Sequence, residues 1–129
     1  MKFFTYGTLK RGLCNSPVLD EQKFLGEAIT QESHFALYEM DREHGAPYPY
    51  PCLKEVDEGG IKIEGELYEI SETCLKYLDR IEGVSSGLYS RKLVPVVKDE
   101  VHEAWAYIFA RAVGGLKRCG SVWPEIRKK

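Results

Sequence analysis

Strand-forming runs recur along this chain without the regular strand–helix alternation that a parallel doubly wound sheet needs, and this spacing constrains the fold most. Residues 2–6, 24–29, 35–40, 61–70, 88–97 and 101–112 are rich in aromatic and β-branched side chains. Two short helical segments interrupt them. One begins at Ser16-Pro17, a cap residue followed by Pro at N1; the other runs from Ser71 through about Glu82 and is stopped by Gly83. About six strands with a few short flanking helices predict an α+β fold, a small, mixed and strongly bent β-barrel. Gly65 inside the run 61–70 predicts a bulge or bend, and Pro95 an edge or bulge position. Lys98-Asp99-Glu100 reads as a hairpin loop.

With 129 residues the chain suits one domain, spanning 1–129 with its core at about 3–112, and it is long enough to bury that core without disulfides or a structural metal. The segment from Trp123 to Lys129 reads as a loose tail. Eighteen basic residues against twenty acidic ones leave no global field to attract nucleic acid or an anionic lipid surface. No apolar run reaches membrane-spanning length, and Gly7, Lys10 and Arg11 break up any signal-peptide core after Met1-Lys2-Phe3-Phe4. A cytosolic location is expected. Cys14, Cys52, Cys74 and Cys119 are too scattered for a metal hook or a CxxC pair and read as reduced thiols. Residues 41–51 carry prolines at positions 47, 49 and 51, which favour an extended, irregular course. A structural loop, an active-site rim and a short polyproline ligand all fit that segment.

One acidic residue stands out. On a helical wheel with Cys74 at zero, Ile81, Leu78 and Leu75 fall at about 340°, 40° and 100° and define the apolar stripe, and Glu82 falls at about 80°, inside it. Lys76, Asp79 and Arg80 fall on the other side. A carboxylate near a helix C-terminus faces the negative end of the macrodipole, and burial also disfavours its charge. Both effects raise its pKa toward the range useful to a general base. A helix that frayed before Glu82 would instead release it into water.

A second feature lies at the first turn. Residues 2–6 run into Tyr6-Gly7-Thr8-Leu9-Lys10-Arg11-Gly12. A strand ending in glycine can turn sharply and offer backbone N–H groups to a carboxylate or an oxyanion, with Lys10 and Arg11 adding positive potential. An ordinary glycine turn satisfies the same pattern. The spacings of a P-loop and of a GxGxxG fingerprint are both absent.

These pieces together, with Glu64-Gly65-Glu66-Leu67-Tyr68, Leu78-Asp79-Arg80-Ile81-Glu82-Gly83, Leu88-Tyr89-Ser90-Arg91 and, more loosely, Ala104-Trp105-Ala106-Tyr107-Ile108, resemble the gamma-glutamylcyclotransferase-like family, most closely its gamma-glutamylamine cyclotransferase branch. The resemblance covers about residues 3–112. It implies a small barrel, no cofactor and no metal, a small-molecule gamma-glutamyl substrate, a cavity lined by Tyr6, Gly7, Thr8 and Leu9, and a catalytic Glu82. Tyr89 and Tyr107 are placed as cavity lining or as hydrogen-bond partners of Glu82, with core packing as the other reading. The implied reaction releases 5-oxoproline and a free amine.

Other functions fit less well. A non-catalytic module holding a small acidic metabolite or a peptide end on the same fold would gain nothing from a carboxylate in its cavity. A metal hydrolase would rest on His34, His44 and His102, which lack HxH or HExxH spacing, and a cysteine hydrolase on Cys14, which lacks an identifiable base. Lys117, Arg118, Arg127, Lys128 and Lys129 would have to carry nucleic-acid binding, without an interleaved aromatic stripe.

Overall fold

A computed structural model describes residues 1–13 and 15–124. Its regular elements are β1 (Lys2–Thr5), β2 (Lys23–Thr30), β3 (Phe35–Met40), β4 (Tyr50–Glu55), β5 (Glu64–Glu69), α1 (Glu72–Ile81), β6 (Tyr89–Lys98), β7 (Glu100–Phe109) and β8 (Lys117–Cys119). Five strands close into a barrel in the order β1-β5-β2-β6-β7, and β4-β3-β8 form a second sheet. The barrel pairs are antiparallel except where β1 meets β7 in parallel at Phe3 and Trp105. This is the small bent α+β barrel expected from the spacing of the runs.

Two cores follow from strand alternation. In β1, Phe4 points into the barrel cluster and its neighbour Phe3 into an outer cluster. In β7, Ala104, Ala106 and Ile108 face inward, and Tyr107 and Phe109 face outward. The outer cluster also takes Cys74, Leu75 and Leu78 of α1, so the helix packs on the outside of the barrel. Burying both faces explains why these strands read as nearly continuous apolar runs.

Several expectations change. The described residues form eight strands, not about six; β4 and β8 have no counterpart among the runs read from the sequence. The loop 41–51 holds a 3₁₀ turn at Arg42–His44, capped by the Asp41 carboxylate accepting from His44 N at 3.0 Å, and its last two residues begin β4. The helix at Ser16 is a single 3₁₀ turn, Ser16–Leu19, with Asn15 at its cap position. The run 61–70 narrows to β5, with Ile61 bridging Phe35 of the second sheet. Gly65 makes no bulge: the register slips in β2, between Phe24 and Gly26. Pro95 sits past the short β2–β6 ladder, where only its carbonyl is engaged, accepting from Gln31 N at 3.0 Å. Asp99, at φ 64°, alone separates β6 from β7. The tail is not loose at Trp123, which is buried in the barrel cluster and donates Nε1–H to Glu39 Oε1 at 2.8 Å. Residues 125–129 lie outside the described residues. Among the described residues no helix is long and apolar enough to cross a membrane.

Candidate active site

The helix that carries Glu82 is fixed at both ends. Ser71 Oγ accepts from Cys74 N at 3.0 Å at the N-cap, and Glu82 is the C-cap, its N–H donating to Leu78 O at 2.9 Å. Gly83 then takes φ +66°, the left-handed conformation that ends the helix. Glu82 therefore stays at the helix terminus, on the apolar side.

Its side chain lines a cavity of about 400 Å³. The cavity is lined by the buried Phe3, Phe4, Tyr89 and Tyr107, by the turn Tyr6, Gly7, Thr8 and Leu9, and by the end of α1 with Tyr77, Ile81 and Glu82. Pro47, Tyr48, Tyr50 and Pro51 close the rim, so the proline-rich loop is an edge of the cavity. The structure thus brings Glu82, Tyr6, Gly7, Thr8, Leu9, Tyr89 and Tyr107 into one pocket. A run of rings, Tyr48–Tyr50–Tyr89–Tyr107, lines it with centroids about 6.4 to 6.5 Å apart.

Burial pushes the Glu82 carboxyl up to about 7 from an ordinary 4.5. Among the described residues no hydrogen-bond donor reaches its oxygens. Tyr89 and Tyr107 line the cavity but do not bond to it: the Tyr89 hydroxyl donates to Pro51 O at 2.7 Å and that of Tyr107 to Asp79 Oδ1 at 2.8 Å. Tyr6 donates to Tyr107 O. Burial, and then the nearby Glu82 charge, push the Tyr6 hydroxyl well up; Tyr89 and Tyr107 are also raised, mainly by burial, so all three stay neutral.

The turn Tyr6–Leu9 is held by Lys10 N donating to Gly7 O at 3.0 Å and Asn15 N donating to Thr8 O at 2.9 Å. Asn15 Nδ2 also donates to Thr8 Oγ1 at 2.8 Å and to the Tyr48 hydroxyl at 3.2 Å, tying the turn to the rim. The N–H groups of Gly7, Thr8 and Leu9 have no acceptor among the described residues. Gly7 is required by close packing: a Cβ there would lie 2.7 Å from Pro51 Cγ. Lys10 and Arg11 do not add charge to the cavity. Arg11 stacks its guanidinium over the Phe24 ring at 3.8 Å and donates its backbone N–H to Glu66 Oε1 at 2.8 Å, while half-buried Lys10 feels Glu66, Glu64 and Glu27.

Two wheel assignments are corrected. Ile81 is 43% exposed at the cavity mouth, because the last helical turn overhangs the pocket instead of packing on the barrel. Asp79 is not on the solvent side. It accepts from Tyr107 and pairs with Arg91 Nε at 2.8 Å, and the Arg91 guanidinium lies over the Trp105 ring at 4.3 Å. This clamp fastens the turn before Glu82 to β6 and β7. Asp79→Ala leaves the Tyr107 hydroxyl without its acceptor and Arg91 without its counter-charge, and is expected to cost about 1–3 kcal/mol in denaturant unfolding.

The other candidates lie apart. His34 approaches Glu55, His44 Nδ1 lies 2.6 Å from Asp41, and His102 Nε2 lies 3.1 Å from Lys98 O. No group of three or more metal-ligating side chains occurs among the described residues. Cys14 lies outside those residues; Cys52, Cys74 and Cys119 are buried. Lys117 and Arg118 belong to β8, where Arg118 donates to Gly59 O, and Arg127, Lys128 and Lys129 lie outside the described residues.

Comparison with known proteins decides the family. A family model described as gamma-glutamyl cyclotransferase, AIG2-like, matches residues 3–124. The chain belongs to this family. Rat gamma-glutamylaminecyclotransferase is 38% identical over 98 residues, which are 72% of this chain and 61% of that protein. An Arabidopsis thaliana relative, provisionally named a gamma-glutamylcyclotransferase, is 35% identical over 97 residues, 75% of this chain and 51% of that one. The chain thus spans between 51% and 61% of the length of these two relatives. The crystal structure of a mouse AIG2-like protein matches the fold of this cyclotransferase-family chain with a TM-score of 0.72 at 28% identity, over 84% of this chain and 76% of that chain.

Proposed function

We propose that the protein is a gamma-glutamyl amide cyclotransferase of the gamma-glutamylamine type, with Glu82 as its acid/base group. The observation that carries this is a buried carboxyl at a helix end in a cavity that is also lined by a turn with unengaged backbone N–H groups; burial pushes that carboxyl up to about 7. A gamma-glutamyl amide carries its nucleophile and its electrophile in one molecule. The protein has only to fix the productive rotamer, move protons and hold negative charge.

The reaction moves two protons. Glu82 takes one from the substrate α-ammonium, and the freed nitrogen attacks the γ-carbonyl carbon. A C–N bond forms, the carbonyl oxygen becomes an oxyanion, and a five-membered ring closes. As the bond to the departing nitrogen breaks, Glu82 delivers protons to it, taking the second from the ring nitrogen. The products are 5-oxoproline and an alkylammonium ion. The N–H groups of Gly7, Thr8 and Leu9 bind the α-carboxylate or the oxyanion. The neutral hydroxyls of Tyr6, Tyr89 and Tyr107 wall the site without competing for the proton. No redox step or covalent enzyme intermediate is needed, so the proposal includes no cofactor.

The base must be ionised to act. On this reading kcat/KM for 5-oxoproline release rises with pH through about 7, the limb belonging to Glu82 in the free enzyme. A rate profile flat from about pH 5 to pH 9 would remove Glu82 from the mechanism. Tight binding of 5-oxoproline with no turnover of any gamma-glutamyl amide would identify a non-catalytic binding module instead.

A further inference from the structure

Past Leu78, the last turn of α1 is attached to the barrel through Asp79. Cys74, Leu75 and Leu78 are the buried residues of the helix, and both Arg80 and Ile81 are exposed. The Asp79 carboxylate accepts from the Tyr107 hydroxyl on β7 and lies 2.8 Å from Arg91 Nε on β6. That Nε is buried without a hydrogen-bond partner among the described residues, so the Asp79 charge is its compensation. Arg91 is itself held by its stacking on Trp105. The main chain of Asp79 is engaged as well: its carbonyl accepts from Val84 N at 3.0 Å, across the left-handed Gly83. Glu82 therefore sits inside a loop of chain, 79–84, that closes on Asp79. The groups that feel the Glu82 charge are phenols from the first turn and three strands: Tyr6, Tyr50 on β4, Tyr89 on β6 and Tyr107 on β7. The Glu82 carboxyl itself is raised by burial and not by a neighbouring charge, so its titration reports where it stands.

We propose that Asp79 is the positioning residue of this site: pinned by Arg91 and Tyr107, it holds the end of α1 so that Glu82 reaches into the cavity. Its part in turnover rests on the proposed cyclotransferase reaction. Asp79 does not line the cavity and touches no reacting atom, so it acts only through the placement of Glu82. A helix end released from β6 and β7 carries Glu82 toward the open side, where water solvates its charge. The carboxyl then ionises at lower pH and stands out of reach of the substrate nitrogen. A displacement of about 1 Å is enough to cost about a hundredfold in rate.

The test reads Glu82 directly, by NMR of protein with isotope-labelled glutamate carboxyls. The Glu82 resonance, assigned by its loss in Glu82→Gln, is expected to titrate near 7 in the parent and at about 6 or below in Asp79→Ala. The rising limb of kcat/KM for 5-oxoproline release should move down with it, and kcat at pH 8 should fall at least about tenfold. Tyr107→Phe removes one of the two ties and should give a smaller shift in the same direction. Asp79→Asn keeps a carbonyl for the Tyr107 hydroxyl and loses the pair with Arg91; it serves in place of Asp79→Ala should that variant fail to fold. Ser71→Ala is the control: it loosens the same helix at its far end by removing the N-cap hydroxyl, and should leave the titration and the limb at their parental pH. A Glu82 titration that neither Asp79 variant moves would overturn the positioning role and leave the cyclotransferase reading intact. So would an equal downward shift in Ser71→Ala, since any loosening of the helix would then suffice. A shift confined to the Asp79 and Tyr107 variants, in a protein that releases no 5-oxoproline from any gamma-glutamyl amide, would overturn the reaction and leave the positioning of Glu82 in place.

Discussion

Replacing Glu82 with Gln is expected to lower 5-oxoproline release by about 10²–10⁴-fold, because the amide keeps the shape of the side chain and cannot accept a proton. The same change should make the protein more stable above neutral pH. The folded carboxyl titrates near 7, above its ordinary value of 4.5. Between those values the folded chain keeps a proton that the unfolded chain has lost, so stability falls as pH rises through that window, and the loss is complete above 7. Glutamine carries no such penalty. A thermal melt at pH 8 should therefore place Glu82→Gln at or above the parent, while melts at pH 4 should place the two together. A variant that loses activity and stability in parallel would point to a packing role for Glu82, and one that retains the parental rate would exclude it as the base.

The parts of the site that were legible in the sequence are those set by local geometry. Glu82 was readable because a single helix places it, and the cap at Ser71 and the stop at Gly83 fix that helix in register with its wheel. The turn at Tyr6–Leu9 was readable because one strand leads into it. What the sequence did not show depends on partners distant along the chain. From the sequence, Lys10 and Arg11 add positive potential near the turn, but Glu66, fifty-five residues beyond Arg11, draws Arg11 onto the barrel wall. Asp79 lies only about 40° from Leu75 on the wheel, and whether that arc meets solvent or β7 is decided by where Tyr107 stands. β4 was hidden by Pro51, which pairs with Glu39 inside a strand whose composition suggested a loop. β8 has three residues and no periodicity to detect. Trp123 gave no sign that the barrel had an open end for it to fill.

Gly65→Ala is expected to cost about 3 kcal/mol of folding stability, or a fall of ~10 °C in Tm, although it adds a single methyl group. An alanine Cβ would stand 2.4 Å from Thr5 O and 2.7 Å from Phe4 Cζ. Neither can move aside. Phe4 is fully buried and Thr5 is 3% exposed; β1 is paired to β5 from Lys2 to Thr5 and held to β7 at Phe3. Gly12→Ala is the control for backbone conformation alone: its φ is +81° and nothing lies within 4 Å of the methyl that alanine would add, so it should cost only about 1 kcal/mol. The two changes also differ in function. Thr5 is the last residue of β1 before the Tyr6–Leu9 turn, so a strand pushed away from Gly65 carries the N–H groups of Gly7, Thr8 and Leu9 with it. At a temperature where both variants are folded, Gly65→Ala should raise KM for a gamma-glutamyl amide well above that of Gly12→Ala. Equal melts and equal KM values for the two would mean that β1 yields freely, and the first turn would then not be the rigid wall on which binding of the glutamyl half depends.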